Sequence, residues 1–151
     1  MTQEKEFIPA AVAAEISGSA GSAVAAAANS LFREFLSSVA KDCVKAGSKM
    51  IGHIKANVRS GDELLSMSST TDDGNVRCRS MFANVVKDYS MTVNVIVYGL
   101  DRYEVARILS SNAERTLNAV PKIYSELGCE DPDCDDPVCQ NGDHKRIIDI
   151  K

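Results

Sequence analysis

The sequence predicts an α+β fold: an antiparallel sheet of three to four strands, two long helices on one of its faces, and a Cys/Asp-rich C-terminal tail. Three observations carry this. Apolar residues recur at three- and four-residue steps over 22–46 and again over 101–120, the period of helices with one buried face. Between them, residues 49–59 and 91–98 alternate apolar and polar with period two, as half-buried strands do. Short turns rich in Gly, Asp and Ser separate the strands, which favours antiparallel neighbours over crossover connections.

The N-terminal segment, residues 1–20, reads as a flexible arm outside the domain, with a short helical turn from Pro9 to Ile16. Pro9 suits a first helical position. The run Ser17-Gly18-Ser19-Ala20-Gly21-Ser22 then breaks the turn. A long helix is expected from Ser22, as N-cap, to Ala46. Ala28, Leu31, Phe32, Phe35, Leu36, Val39 and Cys43 form its apolar face, and Gly47 ends it. Its small residues from Ala23 to Ala28 would let a second helix approach closely, within the chain or from another copy.

The first strand is expected over 49–59, with Met50, Gly52, Ile54, Ala56 and Val58 on one face and Ile51, His53, Lys55 and Asn57 on the other. Ser60-Gly61-Asp62 is a hairpin turn, and the chain returns as a strand over 63–70. Thr71-Asp72-Asp73-Gly74-Asn75 is a turn. Residues 76–90 are ambiguous: 76–79 fit a strand, and Met81 to Lys87 fit a helical turn or irregular chain. Met91 to Tyr98 is the clearest strand, with Val93, Val95 and Val97 on one face and Asn94, Ile96 and Tyr98 on the other. Asp101 and Glu104 then form a capping box. The helix it opens faces inward through Val105, Ala106, Ile108, Leu109, Ala113, Leu117 and Val120. Pro121 kinks it or starts a new segment, and Gly128 closes the helical region. The α+β domain thus spans 21–128, followed by an acidic Cys/His-rich tail over 129–151.

Charge is uneven along the 151 residues. Residues 126–151 hold eight acids against three bases, and the rest holds thirteen acids against fourteen bases, so the net −4 belongs to the tail. A nearly neutral body argues against a nucleic-acid partner, duplex DNA above all. The longest apolar run, Ala23 to Ala28, is far short of the roughly 20 residues a membrane span needs. Acidic residues near the start exclude a signal peptide, so a cytoplasmic location is expected. Five cysteines, an odd number, without an export signal argue against a disulfide framework.

The tail carries the most specific chemistry. Cys129, Cys134, Cys139 and His144 recur at every fifth position. Three thiolates and an imidazole complete a tetrahedral zinc shell, and the intervening Asp-Pro steps let the chain loop back between ligands. The even spacing matches no common zinc signature. A disordered acidic tail without metal is therefore the direct rival, and an iron–sulfur centre a weaker one. A site with four protein ligands leaves no open position and would be structural or a store.

On the exposed sheet face, His53, Lys55 and Tyr98 form a candidate binding face. His53 is a candidate general base only if a partner joins it, and a solvent-facing histidine is the simpler reading. Lys49, Lys55, Arg59, Arg77 and Arg79 could make a basic strip with Tyr98 as a stacking platform, although sheet edges also carry lysines to block aggregation. The Gly18–Ser22 run lacks the Gly-Lys-Ser/Thr ending of a phosphate loop, and no strand is expected before it. These features define a small intracellular binding or scaffold protein that self-associates, with zinc as its candidate cofactor. Two alternatives are an interaction module with a metal-free tail and an enzyme whose site lies on the exposed sheet face.

Overall fold

The computed structural model describes residues 9–125 and the pair Arg146–Ile147. The elements run β1 (Pro9–Ala23), α1 (Ala25–Lys45), β2 (Met50–Ser60), β3 (Glu63–Ser69), β4 (Arg77–Ser80), β5 (Val86–Tyr98), α2 (Arg102–Leu117), β6 (Lys122–Ser125) and β7 (Arg146–Ile147). The fold is α+β with an antiparallel sheet, as expected. The sheet is larger than the expected three to four strands. Six strands lie between residues 9 and 125, the two-residue β7 extends one edge, and the order is β4-β3-β2-β5-β1-β6-β7.

Much of the difference lies in the N-terminal segment. Pro9 to Ile16, expected as a helical turn in a loose arm, is the start of a 15-residue strand lying between β5 and β6. Ala10, Val12, Ala14 and Ile16 point into the core, and Glu15 and Ser17 point out. Val12 pairs with Val95, Ala14 with Val93 and Ile16 with Met91. An alanine tract has no strong local preference for strand. The cross-strand valines and the core beneath them decide its conformation.

The helices sit together on one face, packed against each other, with α1 on β2 and β3 and α2 on β1. Helix α1 starts at Ala25, three residues later than expected, and Val24 caps it without a side-chain hydrogen bond. Its end is as expected. Gly47 adopts φ +105, its N–H donates to Val44 O at 3.0 Å, and Ser48 N–H donates to Cys43 O at 3.1 Å, a Schellman closure. Cys43 is fully buried. Burial, then the charges of Asp42 and Glu104, push its thiol up to about 12, so it remains neutral core filling.

Helix α2 opens on the expected cap, Asp101 accepting from Glu104 N–H at 2.9 Å. It stops earlier than expected, because Asn118 turns left-handed at φ 49. Val120, expected inward, is 89% exposed, and the chain after Pro121 becomes β6. A buried amide ties the two helices. Asn112 Nδ2 donates to Asp42 Oδ2 at 2.9 Å, and Arg115 Nη2 reaches Asn112 Oδ1 at 2.6 Å and Asp42 Oδ2 at 3.3 Å. This satisfies a polar group that would otherwise be costly to bury.

The first hairpin is a two-residue turn, Ser60 pairing with Glu63. Gly61 has φ +59 at the first central position, where such turns favour glycine. In β2 the expected phase holds from His53 onward but not before it. Met50 is 52% exposed and Ile51 is 4% exposed, because a bulge at Gly52 inserts one residue between Ile51 and His53. In the 76–90 stretch, residues 77–80 form the edge strand β4, 81–85 are irregular, and β5 begins at Val86.

Candidate binding face on the open side of the sheet

Alternation gives the sheet two unlike sides. The side under the helices is sealed by Val12, Ile16, Ile54, Val58, Leu65, Met91, Val93 and Val95, all essentially inaccessible. Among the described residues no helix covers the opposite side, which carries the complementary residues of every strand. Register sets their neighbours. One row runs Tyr124, Ala13, Asn94, Lys55, Ser68, Arg77 across β6, β1, β5, β2, β3 and β4. The next row contains Glu15, Thr92, Asn57 and Ser66, with Ser66 Oγ donating to Asn57 Oδ1 at 2.9 Å. On the other side, His53 pairs with Ile96 and Ile96 with Ala11.

The candidate residues His53, Lys55 and Tyr98 all lie on this side. Lys55 is exposed, and His53 and Tyr98 are partly covered. The Tyr98 ring lies beside Gly52 and Ile96, where a Cβ on residue 52 would come within 3.2 Å of Tyr98 Cε2. On the β5 side of its row His53 has Ile96 and then Ala11 as neighbours, neither a carboxylate nor a nucleophile, and it has no paired residue on β3. Of the expected basic strip, Lys55, Arg59 and Arg77 share the open side. Arg79 is the extra residue of a bulge between Ser66 and Met67, and Lys49 precedes β2, its N–H donating to Tyr98 O at 2.7 Å.

Arg77 owes its place to helix α1. Asn29, Arg33 and Ser37, at four-residue steps, form a polar stripe along that helix. Ser37 Oγ donates to Gly74 O at 2.7 Å and Arg33 Nη2 to Val76 O at 3.3 Å, just before β4. Asn29 both donates to Phe82 O and accepts from Phe82 N–H, each at 3.0 Å, just after it. Glu63 accepts from Ala83 N–H at 2.8 Å and Asn84 N–H at 3.3 Å. The short edge strand is thus held by backbone contacts on both flanks. These contacts are not visible in sequence spacing, since 37 to 53 residues separate donor and acceptor in the α1 contacts.

The Gly18–Ser22 run lies within a strand, the last part of β1, contrary to expectation. Gly21 and Ser22 take φ 62 and 61, and α1 begins three residues later. It remains a bulge of the β1–β5 pairing, with Ser19 opposite Asp88 and Ala23 opposite Val86. Asp88 beside it opposes an anion, so the phosphate-loop reading gains nothing. In the Ala23–Ala28 stretch, Ala28 is consumed by the core while Ala26 and Ala27 face out. The metal candidates Cys129, Cys134, Cys139 and His144 lie outside the described residues. Among the described residues, no group of three or more His, Cys, Asp or Glu is placed to hold a metal, and no helix is long and apolar enough to cross a membrane.

Fold and face define an α+β protein with one sealed and one open sheet side. Comparison with family models, curated proteins and solved structures gives no match.

Proposed function

We propose that this chain is a binding module that works through the open side of its sheet, and that chemistry on a bound substrate is not its task. The supporting observation is the register, which aligns Lys55, Ser68 and Arg77 in one row and leaves Tyr98 and His53 beside Ile96 on the same uncovered side. A catalytic histidine would need an acid–base or nucleophilic neighbour. On the β5 side of its row His53 instead has the aliphatic side chains of Ile96 and Ala11.

The test does not require knowing the ligand. Lysine acetylation and histidine carbethoxylation, mapped by mass spectrometry, are compared in buffer and in an extract of the source cells. Lys55 and His53 are expected to react several-fold more slowly in the extract, with Lys45 on α1 unchanged as the control. Equal rates at Lys55 and His53 in both media would sink the proposal.

The sheet edge favours a second reading, a metal held by the tail. Tyr124 pairs with Ile147 and Ser125 with Arg146. Residues 126–145, which include Cys129, Cys134, Cys139 and His144, therefore leave and rejoin the sheet at neighbouring positions. Tying the ends lowers the loop-closure entropy that a bound ion must offset. Untagged protein purified under reducing conditions is expected to hold about one zinc per chain, reduced by Cys134→Ser. Less than roughly 0.2 equivalents of any transition metal would refute it.

A further inference from the structure

We infer that the ligand of the open side is a single-stranded nucleic acid, its bases stacking at Tyr98 and His53 and its phosphates following Lys55, Arg59 and Arg77. The inference rests on the reading of that side as the ligand surface and names the chemistry that fits it.

Charge is the first argument. Lys55 and Arg77 stand in one row with only Ser68 between them, roughly 10 Å apart by strand spacing. Arg59 lies two same-side steps from Lys55 along β2. Among the described residues the one ion pair is Arg115–Asp42, on the helical side, so none of these three is within ion-pair distance of a described carboxylate. The side chains between them, Ser66, Ser68 and Asn57, are short and do not shield them. Glu15 on β1 borders the positive area, and Asp88 on β5 lies diagonal to Arg59, two residues from its partner Ser90. The phosphates are therefore placed along the Lys55–Arg77 row, with the bases toward Tyr98 at the other end of β5 from Asp88.

Shape and chemistry supply the second. An open sheet side with an anchored aromatic suits unstacked bases, because every base offers a π-face. Tyr98 is held against Gly52 and Ile96, so little freedom is lost when a base lands on it. Asn57 and Asn94 add amide donors and acceptors for base edges. An acidic peptide would use the cations but would leave the aromatic end without a role. Three cations are few for a duplex, whose binding is dominated by phosphate contacts, and enough for a short single strand. The near-neutral body, which by itself argues against nucleic acid, conceals this patch, because Arg77 joins Lys55 only through the β3–β4 pairing.

The experiment is fluorescence anisotropy of the full chain with a labelled oligouridylate of about ten nucleotides, titrated at several salt concentrations. With three cations engaged, log affinity is expected to fall against log salt with slope about −2. The double variant Lys55→Glu/Arg77→Glu should bind at least about tenfold more weakly and lose more than half of that slope. Tyr98→Ala should weaken binding about tenfold with the slope unchanged, and Tyr98→Phe should restore it. Absence of binding at low salt overturns the inference, and so does a double variant that binds like the parent. Binding indifferent to Tyr98→Ala also overturns it, since that is charge attraction alone. If oligonucleotides fail while Lys55 and His53 stay protected in extract, the nucleic-acid inference falls and the binding-face reading stands. If that protection is absent too, both fall.

Discussion

Phe32→Ala is expected to cost about 3–5 kcal/mol of folding stability, read as a lower urea midpoint with an unchanged slope. Phe32 is wholly buried on α1, and its ring joins three parts of the chain. It meets Tyr89 of β5 edge-on, with centroids 4.8 Å apart at 71°, and Phe82 of the 81–85 loop at 6.2 Å. Tyr89 in turn lies over Gly18 of β1, where a Cβ would come 2.8 Å from its hydroxyl oxygen. Truncation removes the transfer energy of a large side chain and leaves a space that two other aromatics line. Since a domain of this size has about 5–15 kcal/mol in total, the variant should sit near its folding limit. A loss below about 1.5 kcal/mol would mean that the three rings do not form one packed unit. The damage should also reach the binding face, because Phe82 helps hold the flank of β4 that carries Arg77.

The contrast between what the sequence discloses and what it hides follows from contact range. Helix α1's buried face, its glycine closure and the Asp101 cap are local, and they were legible because each depends on residues within one or two turns. Strands β2 and β5 were legible because strong side chains alternate with polar ones. Strand β1 was not, because Ala10 to Ala14 are all apolar and small, so no alternation shows until Glu15. Its conformation is decided by Val93 and Val95, some 80 residues away. The helical period after Asp101 runs past the real end of α2, because Leu117 and Val120 keep a helical step. The left-handed Asn118 and the ring of Pro121 overrule that step. On the open face, the outward phase of His53, Lys55 and Tyr98 could be read from each strand alone. Which cations stand side by side could not, since Arg77 reaches the Lys55 row only after one hairpin turn and a loop fixed by α1. The buried Asn112 was missed for a similar reason: its partner Asp42 lies on the other helix.

Gly52→Ala is the second large effect expected, a loss of about 1–3 kcal/mol together with weaker oligonucleotide binding. Gly52 is the extra residue of the β2 bulge, with Ile51 opposite Val97 and His53 opposite Ile96. A Cβ there would lie 2.8 Å from Ile96 O and 3.2 Å from both Ile96 Cγ2 and Tyr98 Cε2. The first of these is backbone of β5, which is paired with β1 on one side and β2 on the other and has little freedom to move. The demand at this position is for space between strands. Relief can come only by opening the bulge or pushing the Tyr98 ring outward, and either displaces the proposed stacking platform. Gly18→Ala is the matched control. Its Cβ would also meet an atom at 2.8 Å, but that atom is the Tyr89 hydroxyl, a side chain, and not the backbone of a strand paired on both sides. Thermal or urea unfolding should therefore rank Gly52→Ala as the more damaging change, and only that variant should reduce oligonucleotide affinity. The reverse order would mean that the bulge is slack, and that Tyr98 owes its position to something other than the missing side chain at residue 52.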